Sequence, residues 1–355
     1  MAIPTKLLIA ASGTGGHLFP AIALAEQLPD YEIEWLGVPD RLETQLVPAQ
    51  YPLHNISVAG FQERLGIGTL RNLSKIASSV FQVRQLLQQK SFQGVFTTGG
   101  YIAAPAVMAA RSLGIPIILH ESNAIPGKVT RFFSSLCTAV ALGFEPAAQY
   151  LPRIQTIYTG TPVRSQFLSA KEQLPLLDLP IPDKAFLIVI VGGSQGAVAV
   201  NQLIRQCAPA WFDAGVWIVH LTGNNDPDVA SLQHPQYFPL PFYDNMASLL
   251  QRANLAIGRS GAGTVTELAI TRKPAIFIPL PTAAEDHQFY NAQVLAASGA
   301  AIVFRQKELT PEVLQTQVLE LLHSPALQKM ADAAGKIAVF DSAERLAKLV
   351  RELVH

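Results

Sequence analysis

Short apolar runs alternate with helix-length amphipathic segments along almost the whole chain. Runs rich in Val, Ile and Leu with few polar positions are typical of parallel strands buried on both faces, and the segments between them are long enough for crossover helices. The pattern therefore predicts an α/β protein built on parallel sheets. The predicted strands are 6–11, 33–36, 94–97, 115–120, 139–142, 157–158, 185–191, 217–221, 237–240, 255–258, 275–279 and 301–304.

Two of these strands run directly into a glycine-rich turn that a helix follows. Residues 12–16 (SGTGG) follow the first strand, and residues 192–196 (GGSQG) follow the strand 185–191. Such a turn lets backbone N–H groups approach an anion, and the helix dipole favours negative charge there. Two such openings predict two Rossmann-like domains facing a cleft, with the boundary in the proline-containing segment 161–182.

Composition limits the classes of function. The 355 residues suit about two domains. Lys and Arg number 26 against 26 Asp and Glu, so the surface as a whole is not built for nucleic acid. With 49% hydrophobic and 15% charged residues the chain is apolar, which indicates a membrane-facing or strongly buried surface, yet no run is long enough to span a bilayer. Cys137 and Cys207 lie in different halves, and we expect both to stay reduced in the cytoplasm.

The two glycine loops carry candidate chemistry. His17 follows the first loop, at the strand end where ligands bind in such folds, and a neutral imidazole there suits a general base toward a hydroxyl. The alternative is an ordinary polar residue after a tight turn. In the second loop, Ser194 either adds a hydroxyl to the backbone donors around a phosphate or caps the helix.

A third glycine-rich stretch, residues 258–268 (GRSGAGTVTEL), is the most specific. Glu267, expected in the first turn of the next helix, suits the paired hydroxyls of a ribose. The spacing Thr264-x-x-Glu267 equally fits a capping box. Gln288 and Asn291 share one helix face and suit sugar hydroxyls, or else form a solvated face.

Two acidic patterns resemble metal sites. Residues 226–228 (DPD) lie in a segment rich in Gly, Asn and Pro, where Asp is a common turn residue, so we interpret them as a turn. Residues 285–287 (EDH) are adjacent on an expected helix and would point in different directions. We predict no metal and no cofactor.

The segment 61–90 is basic and amphipathic. It carries Arg64, Arg71, Lys75, Arg84 and Lys90 against one acid, with apolar residues between them. An apolar face rimmed by Lys and Arg suits an anionic membrane surface, whereas the alternative is a helix that buries its apolar side in its own core.

Motifs along nearly the whole chain resemble, in order, those of the MurG family of glycosyltransferases. They are residues 13–20 (GTGGHLFP), 98–101 (TGGY), 120–123 (HESN), 159–164 (TGTPVR), 192–197 (GGSQGA), 259–267 (RSGAGTVTE) and 286–292 (DHQFYNA). The resemblance implies the glycosyltransferase-B fold. It implies an acceptor- and membrane-facing domain, 1–163 with the C-terminal helix 341–355, and a UDP-sugar-binding domain, 164–340.

The family moves N-acetylglucosamine from UDP-N-acetylglucosamine, with inversion, to the C4 hydroxyl of undecaprenyl-diphosphate-linked N-acetylmuramyl-pentapeptide in peptidoglycan synthesis. The resemblance thus implies a peripheral enzyme on the cytoplasmic face of the bacterial inner membrane. It also raises other enzymes of cell-wall synthesis as partners.

The resemblance also assigns site residues. His17 would be the base, Ser194 would contact the diphosphate, Glu267 the ribose, and Gln288 with Asn291 the sugar. The backbone near Tyr243 would flank the uracil. The donor site or its closed form would further include Thr14, Gly15, Gly16, Asn123, Arg164, Ala262, Gly263, Thr264, Val265 and Thr266, and the acceptor side Gly99, Gly100, Tyr101, His120 and Glu121.

Two rival functions stay open at this point. One is a UDP-N-acetylglucosamine 2-epimerase, or a transferase onto a soluble acceptor, on the same fold. The other is a non-catalytic UDP-sugar sensor, which would bind the donor without transferring its sugar.

Overall fold

The structure is a computed structural model that describes residues 4–57, 68–193 and 196–355, and for residues 68–75 and 171 it describes the backbone alone. The chain divides into two compact units. The first comprises Met1–Arg164 and Asp341–His355, and the second comprises Ser165–Phe340. Their assignment to acceptor and donor stays a prediction.

The first unit is a parallel sheet of order β3-β2-β1-β4-β5-β6-β7 with helices on both faces. Its strands are β1 (Thr5–Ala10), β2 (Tyr31–Gly37), β3 (Leu53–Asn55), β4 (Gly94–Thr97), β5 (Ile117–Glu121), β6 (Ala139–Leu142) and β7 (Thr156–Tyr158). Its helices are α1 (Gly15–Glu26), α2 (Glu43–Leu46), α3 (Gly68–Gln89), α4 (Ala103–Ser112) and α5 (Lys128–Phe133).

The second unit is a parallel sheet of order β10-β9-β8-β11-β12-β13. Its strands are β8 (Leu187–Val191), β9 (Trp217–Leu221), β10 (Tyr237–Leu240), β11 (Leu255–Gly258), β12 (Ala275–Phe277) and β13 (Ala301–Val303). Its helices are α6 (Val198–Asp213), α7 (Met246–Arg252), α8 (Ala262–Ile270), α9 (His287–Ala297), α10 (Pro311–Leu322) and α11 (Ala326–Ile337).

The last helix, α12 (Ser342–Leu353), belongs to the first unit because its apolar face completes that unit's core. Leu346 and Val350 are fully buried in the cluster that contains Leu7 and Leu24. The Tyr31 hydroxyl donates to the Val354 carbonyl at 2.9 Å, which ties the end of the chain to β2.

The predicted parallel strands are confirmed, with one omission. β3 was missed because three residues with one apolar side chain show no periodicity. β5 begins at Ile117, two residues after the predicted start, because Pro116 precedes it. None of the helices in the described part of the chain combines the length and hydropathy needed to cross a bilayer.

The basic segment 61–90 is described only in part, because residues 61–67 and the side chains of 68–75 lie outside the described residues. Within α3, Val83 and Leu87 are buried in the core of the unit. Phe81 on the same helix is 66% exposed. The helix therefore has both a core face and an exposed apolar position.

Candidate active site

In the first unit the strand order reverses between β1 and β4. The chain leaves β1 for β2 and β3, then returns to the other side of β1 at β4. In open α/β sheets such a switch point, at the carboxyl ends of the strands, is where ligands bind. The loop 12–16 and the loop 98–101 flank it, and the sequence predicted this position for the first of the two.

His17, in the first turn of α1, is held by the neighbouring loop. Its Nδ1 lies 2.8 Å from the carbonyl oxygen of Thr98. Because a carbonyl only accepts, Nδ1 carries a proton, and the neutral tautomer that fits this contact has its lone pair on Nε2. Nε2 faces Gly100, where an added Cβ would stand 3.6 Å away. Gly99 and Gly100 have φ of +87° and +73°, so this loop is shaped by glycine.

Arg164 lies beside the first glycine loop although it is far away in sequence. Its guanidinium stacks over the Phe19 ring, 4.5 Å from the centroid. The same ring packs on Gly15, where an added Cβ would come 2.7 Å from a ring carbon. Thr14 and Gly16 are exposed on this loop. The structure thus brings Thr14, Gly15, Gly16, His17 and Arg164 together, and their roles in binding stay predictions.

At the end of β5, two buried side chains shape the loop that carries Asn123. His120 is fully buried; its Nε2 donates to the Gly160 carbonyl at 3.1 Å, and its Nδ1 accepts from the Ser122 hydroxyl at 3.3 Å. Burial lowers the pKa of His120, which keeps the ring neutral. Glu121 accepts from the backbone and side-chain amides of Asn123, at 2.9 and 3.0 Å, and from Gly127 N.

Tyr101 is the exposed member of this edge, with 39% of its surface accessible. The polar side-chain atoms of His120 and Glu121, by contrast, are hydrogen-bonded to other groups of the protein. Of the three acceptor-side side chains predicted from the sequence, Tyr101 is the one displayed outward.

In the second unit the strand order reverses between β8 and β11, and a glycine-rich loop follows each of these strands. At Gly196, with φ of +75°, an added Cβ would come 2.6 Å from the Thr222 carbonyl oxygen, so a larger residue does not fit. At Gly258 an added Cβ would come 2.1 Å from the Val191 carbonyl oxygen. Ser194 lies outside the described residues, and its role stays a prediction.

Helix α8 begins earlier than the sequence suggested. Its N-cap is Gly261, and Ala262 is its first residue. The capping-box interpretation of Thr264 and Glu267 is therefore wrong, because Thr264 lies inside the helix. The expectation that Glu267 lies in the first turn is wrong as well, since Glu267 is in the second turn, where it is half-buried. Of the other predicted residues on this helix, Ala262, Val265 and Thr266 are buried, whereas Gly263 and Thr264 are half-buried.

Arg259 is a residue to which the sequence assigned no role. Only 7% of it is exposed, and its guanidinium donates to the carbonyls of Ile278 and Pro279, at 2.8 and 3.1 Å, and to Gln306 Oε1 at 2.8 Å. Burial lowers its pKa to about 10, so it stays charged at neutral pH. A buried cation with these neutral partners leaves positive charge at the end of β11. The sequence feature that could have identified Arg259 is its position directly after a buried strand.

Helix α9 is tied to the third glycine-rich stretch. The Gln288 Oε1 accepts from Leu280 N at 3.0 Å. The fully buried Asn291 donates through Nδ2 to the Ser260 carbonyl at 3.2 Å, and the Ser260 hydroxyl donates to the Gln288 carbonyl at 2.7 Å. A solvated helix face is therefore wrong for Asn291. The bond to Leu280 fixes the Gln288 amide so that its two N–H donors point away from that backbone.

The two acidic patterns have structural explanations. Asp228 N donates to Asp226 Oδ1 at 3.2 Å, as expected for a turn. The Asp226 carboxylate also pairs with the Arg205 guanidinium at 2.7 and 3.1 Å.

The second pattern, residues 285–287, is not helical throughout. Glu285 and Asp286 form a left-handed turn before α9, so the expectation that residues 285–287 share a helix is wrong. Among the described residues no group of three His, Cys, Asp or Glu side chains is arranged to hold a metal ion.

Tyr243 is held at the edge of the second unit. It is 9% exposed, and its hydroxyl donates to Asp178 Oδ1 at 2.5 Å. Burial, together with this carboxylate, raises the pKa of Tyr243 to about 12. The neighbouring Phe242 is 65% exposed. The contact of this segment with uracil stays a prediction.

Comparison with known proteins places the chain in a family. Residues 7–142 match the glycosyltransferase family 28 N-terminal domain, and residues 187–348 match the C-terminal domain of that family. The curated UDP-N-acetylglucosamine–N-acetylmuramyl-(pentapeptide) pyrophosphoryl-undecaprenol N-acetylglucosamine transferase of a Nostoc species is 67% identical over 99% of this chain and 98% of its own length.

Solved structures agree with this placement. The crystal structure of MurG from Acinetobacter baumannii superposes with a TM-score of 0.78 at 32% identity, covering 98% of this chain and 100% of that one. A putative UDP-N-acetylglucosamine 2-epimerase from Listeria monocytogenes, with a TM-score of 0.70 at 15% identity over 99% of this chain and 97% of that one, shares the fold alone. The two Rossmann-like units are those of the glycosyltransferase-B fold, and the chain belongs to glycosyltransferase family 28 and, within it, to the MurG family.

Proposed function

We propose that this chain transfers N-acetylglucosamine from UDP-N-acetylglucosamine to the C4 hydroxyl of undecaprenyl-diphosphate-linked N-acetylmuramyl-pentapeptide, with inversion at the anomeric carbon. The relatives' names supply the substrates. The observation in this molecule that carries the proposal is the hydrogen bond from His17 Nδ1 to Thr98, because it leaves Nε2 as a proton acceptor beside two glycine loops.

In this mechanism Nε2 of His17 takes the proton from the attacking hydroxyl. The acceptor diphosphate binds the amides of Thr14, Gly15 and Gly16 beside the loop 98–101, and Arg164 adds positive charge next to the first loop. Asn123, fixed by Glu121, orients the sugar at this edge. His120 and Glu121 act as positioning residues, since their polar atoms are hydrogen-bonded to the protein.

The second unit holds the donor. Glu267 binds the ribose hydroxyls, the N–H donors of Gln288 bind the sugar, and the loop 192–196 with Ser194 binds the diphosphate. Negative charge grows on the departing UDP, and the amino end of α8 and the buried Arg259 cation stabilise it electrostatically.

The test is transfer of labelled N-acetylglucosamine from its UDP form to a short-chain lipid analogue of the acceptor, with and without chelator. Labelled disaccharide lipid is expected in both cases, because helix ends and Arg259 supply the charge stabilisation. Loss of product in chelator would overturn the metal-free mechanism. Consumption of UDP-N-acetylglucosamine without lipid would favour an epimerase or a soluble acceptor, and tight donor binding with no turnover would favour a sensor.

We further infer that the first unit binds the cytoplasmic face of an anionic membrane. Phe81 on α3, Met108 on α4 and Phe132 on α5 are 66%, 39% and 75% exposed. The Arg84 guanidinium hydrogen-bonds the Ser112 hydroxyl, so the turns that follow Phe81 and Met108 are adjacent. Arg111 and Lys128 are exposed on the same helices. Apolar side chains rimmed by basic ones suit insertion among anionic headgroups.

Vesicle sedimentation tests this surface. We expect binding to vesicles that contain phosphatidylglycerol, and loss of most of that binding in the double variant Phe81→Ser/Phe132→Ser. Leu176→Ser is the matched control, because Leu176 is 94% exposed but lies in the second unit. Equal binding by the double variant and the control would exclude this surface.

A further inference from the structure

We propose that Glu43 is a positioning residue for the transfer reaction, whose buried carboxylate sets the shape of the first glycine loop. The inference rests on the proposed function, because that loop carries the proposed acceptor site and His17. Glu43 is far from the loop in sequence and begins the four-residue helix α2.

The Glu43 carboxylate is fully buried and accepts three hydrogen bonds. Its Oε1 accepts from the Ser12 hydroxyl at 2.5 Å and from Val38 N at 2.8 Å, and its Oε2 accepts from Gly13 N at 3.1 Å. Ser12 and Gly13 begin the glycine loop, and Val38 directly follows β2. The carboxylate therefore joins the loop after β1 to the loop after β2.

The chemistry of these partners separates Glu43 from an ordinary buried ion pair. All three donors are neutral: a hydroxyl and two backbone amides. Burying a carboxylate is costly, and hydrogen bonds from neutral groups are what stabilises the charge here. Breaking one of them leaves a buried polar group unsatisfied, so the loop is held firmly in one conformation.

The contact decides which amides of the loop are available to an anion. Gly13 N is committed to Glu43, and His17 N donates to the Thr14 carbonyl at 3.0 Å as the helix begins. Gly13 has φ of +104°, a backbone conformation that favours glycine. In this conformation the N–H of Gly13 points to the buried Glu43 carboxylate. The amides left for a diphosphate are those of Thr14, Gly15 and Gly16.

The position of Glu43 fits the proposed binding of a diphosphate, and not of a nucleoside, by this unit. In dinucleotide-binding folds an acid near the end of the second strand binds the ribose hydroxyls. Glu43 follows β2 in this unit, but its oxygens point to Ser12, Gly13 and Val38 and are fully buried. Glu43, the acid at the position that binds a ribose in those folds, therefore holds the first glycine loop in place instead.

The test compares Glu43→Gln with Glu34→Gln. Glu34 is a matched control, because it is a buried carboxylate of the same sheet that pairs with Lys90 and His54 and has no bond to the glycine loop. In Glu43→Gln the side-chain NH2 must face the backbone N–H of either Gly13 or Val38, so at least one of the three bonds is lost and the loop is held less firmly. We expect kcat to fall at least about tenfold, with the KM for UDP-N-acetylglucosamine changed by less than about twofold. In Glu34→Gln kcat should stay within about twofold of wild type.

Hydrogen exchange gives a readout that does not depend on activity. Peptides covering residues 11–18 should exchange faster in Glu43→Gln than in Glu34→Gln or wild type. Unchanged kcat together with unchanged exchange in this segment would overturn the inference. An inactive wild type would count against the proposed function alone, and the exchange comparison would still decide the role of Glu43.

A second variant covers the case in which Glu43→Gln does not fold. Ser12→Ala removes one of the two bonds between the loop and the carboxylate. We expect the protein to fold with a thermal midpoint lowered by only a few degrees, and kcat to fall about threefold. A wild-type kcat in Ser12→Ala would then contradict the proposal.

Discussion

His17 Nδ1 and the Thr98 carbonyl oxygen lie 2.8 Å apart and join the loop after β1 to the loop after β4. This one contact sets both the orientation of the ring and the nitrogen that carries its proton. A base on a glycine loop is therefore held in place by the neighbouring strand, which is how a side chain half-exposed to solvent keeps a defined direction.

The first prediction concerns that base. His17→Ala should lower kcat by about 10²- to 10⁴-fold, because general-base catalysis supplies about that factor. UDP affinity should change much less than kcat, since the residues predicted to contact the ribose and the diphosphate, Glu267 and Ser194, lie in the second unit. His17→Asn is the informative companion, because its side-chain N–H can still donate to Thr98 while Nε2 is gone. Steady-state kinetics and UDP titration measure both; an Asn variant with near-wild-type kcat would remove His17 from the role.

The second prediction concerns Glu267. Because Gly261 caps α8, replacing Glu267 should not cost a helix cap. Glu267→Ala should weaken UDP binding about tenfold, the order expected for losing hydrogen bonds to a charged group. Thr264→Ala, the other half of the rejected capping box, should leave the thermal midpoint within about 1 °C of wild type. Calorimetric titration and thermal unfolding check the pair. Unaltered UDP affinity in Glu267→Ala would exclude the ribose contact.

The sequence predicted the framework well and the contacts poorly, for physical reasons. Buried parallel strands are nearly continuous apolar runs, so their pattern is visible locally. The start of α8 was misplaced because Gly261 and Thr264 are both acceptable N-caps, and only tertiary packing chooses between them. Glu43 was missed because its contact with Ser12 and Gly13 exists only once β1 and β2 are paired.

The third prediction concerns stability and pH. Burial alone would raise the pKa of Asp226, but hydrogen bonds from Arg205, Asp228 N and Asn201 lower it below its usual value. A lowered folded-state pKa gives stability that is complete above the unfolded pKa, about 4, and is lost as pH falls through the folded value. Asp226→Asn should therefore lower the free energy of unfolding at pH 7 by about 3 kcal/mol, because it leaves Arg205 buried without its anion.

Denaturant unfolding at several pH values measures this effect. The difference between wild type and Asp226→Asn should shrink as the pH falls below about 4. Asp228→Asn is the control, since that carboxylate is 47% exposed and lies 4.0 Å from Arg205. A difference between wild type and Asp226→Asn that stays constant from pH 7 to pH 2 would contradict the linkage.

The fourth prediction concerns the two thiols. Burial raises the pKa of Cys137 and of Cys207 to about 12, so neither is a thiolate at neutral pH. In the native protein both should react with a thiol reagent at least about a hundredfold more slowly than in the unfolded chain. Absorbance of the released chromophore, with and without denaturant, measures the two rates. A fast native phase would show that one of these cysteines is accessible.

The last prediction separates sugar recognition from the rest of the donor site. Gln288 uses Oε1 to accept from Leu280 N, so its N–H donors are what remain for the sugar. Gln288→Glu keeps an oxygen for Leu280 and removes those donors. It should weaken UDP-N-acetylglucosamine binding about tenfold and UDP binding by a smaller factor, because UDP lacks the sugar and meets only the repulsion of the new carboxylate. Asn291→Ala, which removes the buried bond to Ser260, should instead lower the thermal midpoint and the affinity for both ligands. Titration of each variant with both ligands decides the matter: an equal loss for UDP and UDP-N-acetylglucosamine in Gln288→Glu would mean that Gln288 shapes the site without contacting the sugar.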